Sequence, residues 1–267
     1  MVDPPSRSVG TGVARGHHGD HLAGTPRRRR AVGGRIDMTA APGSILTAGL
    51  VKRYSESAHD ALAPLDLEVA EGQRITLIGH NGSGKSTLIG LLAGMLEPTA
   101  GHATIGGHPV GSIPARAALS YLADQPVFYD DLSVWEHLEY VARLHGTVEW
   151  EQQAADLLEM VGLTDRADDL PSTFSRGLRQ KAAICLAFVR PFDALVVDEP
   201  FVGLDRGGRD ALLELLHRAH IDGATVLVAT HELSTLAHTD RLIALRDGEV
   251  IHDGGVDDVD PDDLVSG

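Results

Sequence analysis

Gly79-His80-Asn81-Gly82-Ser83-Gly84-Lys85-Ser86-Thr87 fits, at every fixed position, the pattern G-x-x-x-x-G-K-[ST] of a phosphate-binding loop. Before it, Arg74-Ile75-Thr76-Leu77-Ile78 reads as a short buried strand. After it, Thr87 to Leu96 reads as an apolar helix. Strand, Gly-rich loop and helix is the context the motif needs. The glycines let backbone N–H groups curl around phosphate oxygens, and the helix N-terminus adds a favourable dipole. Lys85 has the reach to meet the β- and γ-phosphates of a nucleotide, and the Ser86 hydroxyl is a ligand for Mg²⁺. A Gly-rich turn without a ligand would not require both flanks to agree.

Working outward, a second stretch carries carboxylates. Ala194-Leu195-Val196-Val197-Asp198-Glu199-Pro200 is an apolar strand that ends in two acids. In a parallel sheet the C-terminal ends of strands face the ligand crevice. Asp198 is placed to hold Mg²⁺ through water, and Glu199 to accept a proton from an attacking water. About 20 residues earlier, Phe174-Ser175-Arg176-Gly177-Leu178-Arg179-Gln180-Lys181 opens an apolar helix, Ala182 to Val189. A Ser and a Gly at a helix start bind phosphate through side-chain and backbone donors, although alone they make an ordinary N-cap.

The rest of the chain reads as alternating strands and helices, hence an α/β core with a parallel sheet. Strand patterns cover Ser44–Leu50, Leu65–Val69, His102–Ile105, Thr225–Ala229 and a hairpin, Arg241–Ile251, around Asp247-Gly248. Helical patterns cover Val134–Leu144 and Glu149–Val161. The stretch from about 117 to 185 reads as an inserted helical subdomain. No apolar run approaches the ~20 residues that cross a bilayer. The single cysteine, Cys185, excludes an internal disulfide, suits a reducing compartment and reads as core packing.

Net charge is −15, and residues 1–37, with 7 Arg and 3 acidic residues, hold +4 of it, which leaves −19 for the remainder. Such a body disfavours nonspecific binding to nucleic acid. Residues 1–43 lack apolar periodicity and read as a disordered tail. Its Arg27-Arg28-Arg29-Arg30 run reads as a solvated segment, with anionic lipid or nucleic acid as the competing contact. His17-His18 and His21, the densest histidine cluster, also fall there. Met38, just ahead of the folded part, is an alternative start of the native chain. The acidic end, 256–267, reads as a frayed tail.

Over residues 45–255 the chain resembles the ATP-binding subunit of an ABC transporter, a P-loop NTPase with a mainly parallel sheet, an antiparallel β part and an inserted helical subdomain. Residues 79–87 match the Walker A loop, and 194–199 match Walker B with its catalytic glutamate, Glu199. Phe174 to Leu178 stand where the family has L-S-G-G-Q. Gly203-Leu204-Asp205 match the D-loop, His231 the switch histidine, and Tyr54 the aromatic that stacks on adenine. Arg176 replaces the first signature glycine and Leu178 the glutamine, while Ser175 and Gly177 remain. The Q-loop glutamine falls on Asp124, with Gln125 one residue later. The segments around Asp124 and Ser175 are similar to the exporter-type ABC-2 and multidrug-resistance branch.

The resemblance implies an ATPase that uses ATP and Mg²⁺. It implies a homo- or heterodimer of such domains sandwiching two ATPs, with Ser175, Arg176 and Gly177 acting on the nucleotide of the other copy. It further implies a separate membrane permease as partner and a cytoplasmic place on the inner face of the cell membrane. A soluble ATP switch in repair, translation or regulation is the competing expectation. Repair-type relatives carry a long coiled-coil insertion and translation-type relatives carry two cassettes, and neither feature is seen here. Cargo is chosen by the partner.

Since the Arg-rich tail has no core-forming pattern, a chain begun at Met38 is expected to keep both its melting temperature and its ATP affinity. A clear loss of either, by thermal melt or nucleotide titration, would mean that the tail packs on the folded part.

Overall fold

Two sequence patterns build two kinds of sheet. In the computed structural model, which describes residues 40–55, 59–232, 238–261 and 264, the alternating segments form β1 (Ile45–Lys52) and β2 (Leu62–Val69). These join β4 (Ala100–Ile105) and β5 (His108–Pro109) in an antiparallel sheet of order β2-β1-β4-β5. Along β2 buried and more exposed residues alternate, as expected when one face packs and the other meets solvent. The continuously apolar segments β3 (Arg74–Ile78), β7 (Ala194–Asp198) and β8 (Thr225–Ala229) are buried at every position. They lie in a six-stranded sheet of order β10-β9-β3-β8-β7-β6, in which β9 is Arg241–Arg246 and β10 Glu249–Gly254. Only the β9–β10 pair is antiparallel in that sheet.

Successive side chains of a strand point to opposite faces. Ala194, Val196, Leu227 and Ala229 therefore pack with the antiparallel sheet and with helix α1 (Lys85–Leu92). Leu195, Val197, Val226 and Val228 pack with the helices on the other side. Those are α3 (Val134–Leu144), α4 (Trp150–Val161), α5 (Arg176–Phe188) and α6 (Arg206–Ile221). Helix α3 starts at a capping box, with Ser133 Oγ accepting from Glu136 N and Glu136 accepting from Ser133 N. The β9–β10 turn has φ of 50° at Asp247 and 80° at Gly248, the left-handed pair that a two-residue hairpin turn requires.

The expected α/β core with an antiparallel part is what forms. Four local readings change. The stretch expected to turn helical at 117 first gives a short helix, α2 (Ile113–Ala118), and then a strand, β6 (Leu119–Leu122), parallel to β7. Buried Arg190 binds this edge to the body, donating to the carbonyls of Ala117 (2.9 Å) and Leu119. The helix expected over Thr87–Leu96 starts at Lys85 and ends at Leu92, because Gly94 takes a φ of 69°. Helix α6 was absent from the sequence reading. Finally, the chain end is not simply frayed: Val256, Val259 and Leu264 pack against Ile78, Leu242 and Ala244. The expected Arg-rich tail, with its histidines, lies outside the described residues up to 39.

Cys185 lies on α5 with no exposure, and burial pushes its thiol up to about 12. The folded protein is therefore expected to resist a thiol reagent at pH 8, and to release one reactive thiol on unfolding. Rapid labelling of the native chain would contradict the packing of α5 described here.

Candidate functional site

The parallel strands of the large sheet deliver their C-terminal ends to one edge. Ile78 of β3 runs into the Gly79–Ser86 loop, Leu122 of β6 precedes Asp124, β7 ends on Asp198, and β8 leads through Thr230 to His231. Thr230 N donates to Leu77 O (3.0 Å) and Glu199 N to Ala229 O (2.8 Å), so these ends are tied across the strands. The result is a cavity of about 280 Å³ whose lining includes Gly84, Lys85, Ser86, Thr87, Asp124 and Glu199.

The loop depends on its glycines. Gly79, Gly82 and Gly84 have φ of 152°, 87° and 106°, values that favour a residue without Cβ. A Cβ on Gly84 would stand 2.7 Å from the Ala61 carbonyl oxygen. The loop is also held from outside. Gly248 of the hairpin turn donates to Ser83 O (2.9 Å), and its own carbonyl accepts from Ala63 N (2.9 Å). His80 Nε2 lies 3.8 Å from Asp247 of the same turn. The sequence marks this hairpin, but as a register of two strands it offers no sign that its turn braces a loop about 165 residues earlier in the chain.

Lys85 is buried, and its Nζ donates to Gly79 O (2.8 Å) and His80 O (3.3 Å) while standing 3.6 Å from Glu199 Oε1. Ser86 Oγ donates to Asp198 Oδ1 (3.2 Å). Burial raises the Asp198 carboxyl above its ordinary range; the Ser86 hydrogen bond and Lys85 oppose this, and the charges of Glu199 and Asp124 add to it. Glu199 has a φ of 42°, rare for a residue with a side chain, and such strain gathers at functional sites. Its Oε2 faces His231 Nδ1 at 2.8 Å and backbone N at 3.3 Å. A carboxylate here, between an ammonium and an imidazole, is chemically able to take a proton from water at a bound phosphate. Ser86 and Asp198 offer the hard oxygen donors that suit Mg²⁺.

Other anticipated residues lie nearby. Ser175 caps α5 by accepting from Leu178 N (3.4 Å), and Arg176 pairs with Asp124. Gly177 lies against the loop holding Gly203, where a Cβ would come 2.3 Å from the Gly203 carbonyl oxygen. Asp205 caps α6 through Gly208 N (2.7 Å) and accepts from Lys181 Nζ (2.8 Å), which holds its carboxyl below the ordinary range. Tyr54 is 43% exposed, with the Lys52 ammonium 5.3 Å from its ring centroid, and does not line the cavity. Two contacts escaped the sequence reading. Lys181 ties α5 to the Asp205 loop, and Arg209 of α6 clasps Glu232, next to His231, with one N–O distance of 3.0 Å. Each joins segments far apart in the chain.

Comparison with known proteins agrees with this geometry. The family described as ABC transporter matches residues 62–202, and the chain belongs to it. Over 219 residues it is 33% identical to the uncharacterized ABC transporter ATP-binding protein YthP of Bacillus subtilis, covering 81% of this chain and 89% of that one. It is 33% identical over 229 residues to the macrolide export ATP-binding/permease protein MacB of Rhodopseudomonas palustris, spanning 82% of this chain but 35% of that longer protein. A dimeric post-hydrolysis structure of the ATP-binding cassette MJ0796, bound to ADP and Pi, superposes with a TM-score of 0.73 at 25% identity, over 79% of this chain and 98% of that one. The chain is an ABC-type ATP hydrolase.

Because Gly84 has a left-handed φ and a backbone oxygen where a Cβ would go, Gly84→Ala should displace the loop and cut ATP affinity by about tenfold or more. Gly82→Ala, with nothing within 4 Å of the added atom, should lose less. Titration with a fluorescent nucleotide compares them, and equal affinity for Gly84→Ala and the parent would contradict the loop geometry.

Proposed function

We propose that this chain powers transport, in the direction of export, through a separate membrane permease on whose cytoplasmic side it docks. The observation that carries the catalytic part is Glu199 held between Lys85 and His231 at the mouth of the phosphate loop. Lys85, Thr87 and the loop N–H groups hold the polyphosphate, with His80, Asn81 and Ser83 completing the loop and Tyr54 offering an aromatic face toward the base. Ser86 and Asp198 would hold Mg²⁺, which when bound would supply neutralising charge to the phosphates. Glu199 takes the proton of the attacking water while His231 fixes its carboxylate and faces the γ-phosphate.

Ser175, Arg176 and Gly177 stand at the start of α5, and Asp205 is tied to the same helix through Lys181. They act on the nucleotide of a second cassette, so that two ATPs join two copies; the dimeric form of the ADP-bound structural relative supports this. ATP binding closes the pair and hydrolysis reopens it, shifting the population of permease states. No helix among the described residues is long and apolar enough to cross a membrane. The export relative supports the direction. Residues 44–255 act as the ATPase unit.

Glu199→Gln keeps the side chain's size and removes its proton-accepting charge. Loss of a general base costs about 10²–10⁴-fold in rate. The variant is expected to bind ATP, turn over very slowly and accumulate as an ATP-bound dimer, read by light scattering with and without Mg-ATP. Lys85→Ala should do the opposite, losing phosphate affinity and staying monomeric. Normal turnover in Glu199→Gln would sink the assignment of the base.

A further inference from the structure

Asp124 belongs to two spaces at once. It lines the phosphate cavity together with Lys85 and Glu199. It also lines a neighbouring cleft of about 480 Å³, whose wall includes Arg176 and Arg179. Across that cleft Arg176 Nη2 donates to Asp124 Oδ1 at 2.7 Å. The two residues come from different elements, the loop after β6 and the first turn of α5.

The charges around the cavity make this contact matter. Three carboxylates, Asp124, Asp198 and Glu199, gather at a place meant for a polyanion. Among the described residues, the only cation lining the cavity is Lys85, already shared with two loop carbonyls and Glu199. The field of Asp124 reaches Asp198 and Tyr121, raising both carboxyl and phenol after burial has done so. An uncompensated carboxylate at position 124 would therefore repel incoming phosphate as well. As a contribution to the fold the pair is minor, since the Arg176 and Asp124 side chains are 53% and 31% exposed. Its consequence is electrostatic and local.

We propose that Arg176 is a positioning residue for nucleotide binding: its guanidinium neutralises Asp124 and holds that carboxylate at the rim of the phosphate cavity, so that the two residues work as one neutral unit. The inference rests on the phosphate loop being the ATP site. It concerns the nucleotide of the same chain, and so is separate from any action of α5 on a second copy. Arg176 makes one short contact rather than a fork, so a lysine of similar reach is expected to replace it in part.

The test uses the full chain as parent, Arg176→Gln, Arg176→Lys, Asp124→Asn and the Asp124→Asn/Arg176→Gln double variant. ATP Kd, KM and kcat are measured at low and high salt. Arg176→Gln is expected to weaken ATP binding about three- to tenfold at low salt, with a smaller loss at high salt. Asp124→Asn should bind ATP at least as well as the parent. The double variant should return to within about twofold of the parent, a non-additive result that reports the coupling of the pair, while the salt dependence of the Arg176→Gln loss is what a merely structural contact would not give. Arg176→Lys should keep most of the affinity. Arg176→Gln with parental affinity, or a double variant as weak as Arg176→Gln, would overturn the pairing. So would weaker binding by Asp124→Asn, which keeps the inference open to refutation should Arg176→Gln misfold. Lys85→Ala separates the two levels: ATP binding that survives it moves the site elsewhere and ends both readings, whereas dependence on Lys85 with indifference to Arg176 ends this one alone.

Discussion

A buried ammonium needs partners, and the rest of the site follows from how Lys85 is given them. Its Nζ takes the carbonyls of Gly79 and His80, which point inward only because the loop around them adopts left-handed backbone at Gly79, Gly82 and Gly84. Ser83 N also donates to His80 O (3.1 Å), and α1 begins at Lys85 itself, so that its first-turn N–H groups suit an anion. The remaining contact of Lys85 is Glu199, so the cation that faces phosphate also fixes the acid beside it. Loop shape, the start of α1 and the place of Glu199 are thus one constraint seen from three sides.

That constraint requires a rigid frame, and the sheet provides it by being covered on both faces. Neighbouring residues of β7 and β8 go to opposite cores, so neither strand is free to tilt without opening one of them. The strand ends then carry their chemistry to fixed points: Asp198 beside Ser86, and His231 beside Glu199. The strained φ of Glu199 persists because its N–H is held by Ala229 of the next strand. Outside the sheet, Arg209 and Glu232 link α6 to the segment of His231, and Lys181 links α5 to Asp205. Helices α5 and α6 are thus tied directly to the segments that carry Asp205 and His231.

What was legible in the sequence was local. The phosphate loop carries its own geometry in its glycines, the buried strands Arg74–Ile78 and Ala194–Asp198 stand out as unbroken apolar runs, and Asp247-Gly248 marks a hairpin turn unaided. Strand β6 was not legible, because Leu-Ser-Tyr-Leu is too short to declare itself and becomes a strand only beside β7. Helix α6 hides behind two glycines in its first turn, Gly207 and Gly208, which read as a loop but leave room for the Asp205 cap and the Lys181 stem. The acidic end hid its valines among aspartates. Family resemblance supplied Asp124 and Arg176 as separate positions, and nothing in a linear reading joins two residues 52 apart.

A chain with net charge −15 that binds a nucleotide polyanion raises a physical question that the site answers at short range. At physiological salt, fields from distant charges are screened within about 8 Å. The acidic surface at large therefore governs solubility and weak encounters rather than the energy of a bound phosphate. What counts is the charge at the cavity itself, where Lys85 and the start of α1 stand on one side and Asp124, Asp198 and Glu199 on the other. Asp198 is moderated by the Ser86 hydroxyl, Glu199 by Lys85 and His231, and Asp124 by Arg176. Each carboxylate thus has its own donor, so the negative charge gathered at the cavity is offset at short range by groups the fold itself places there.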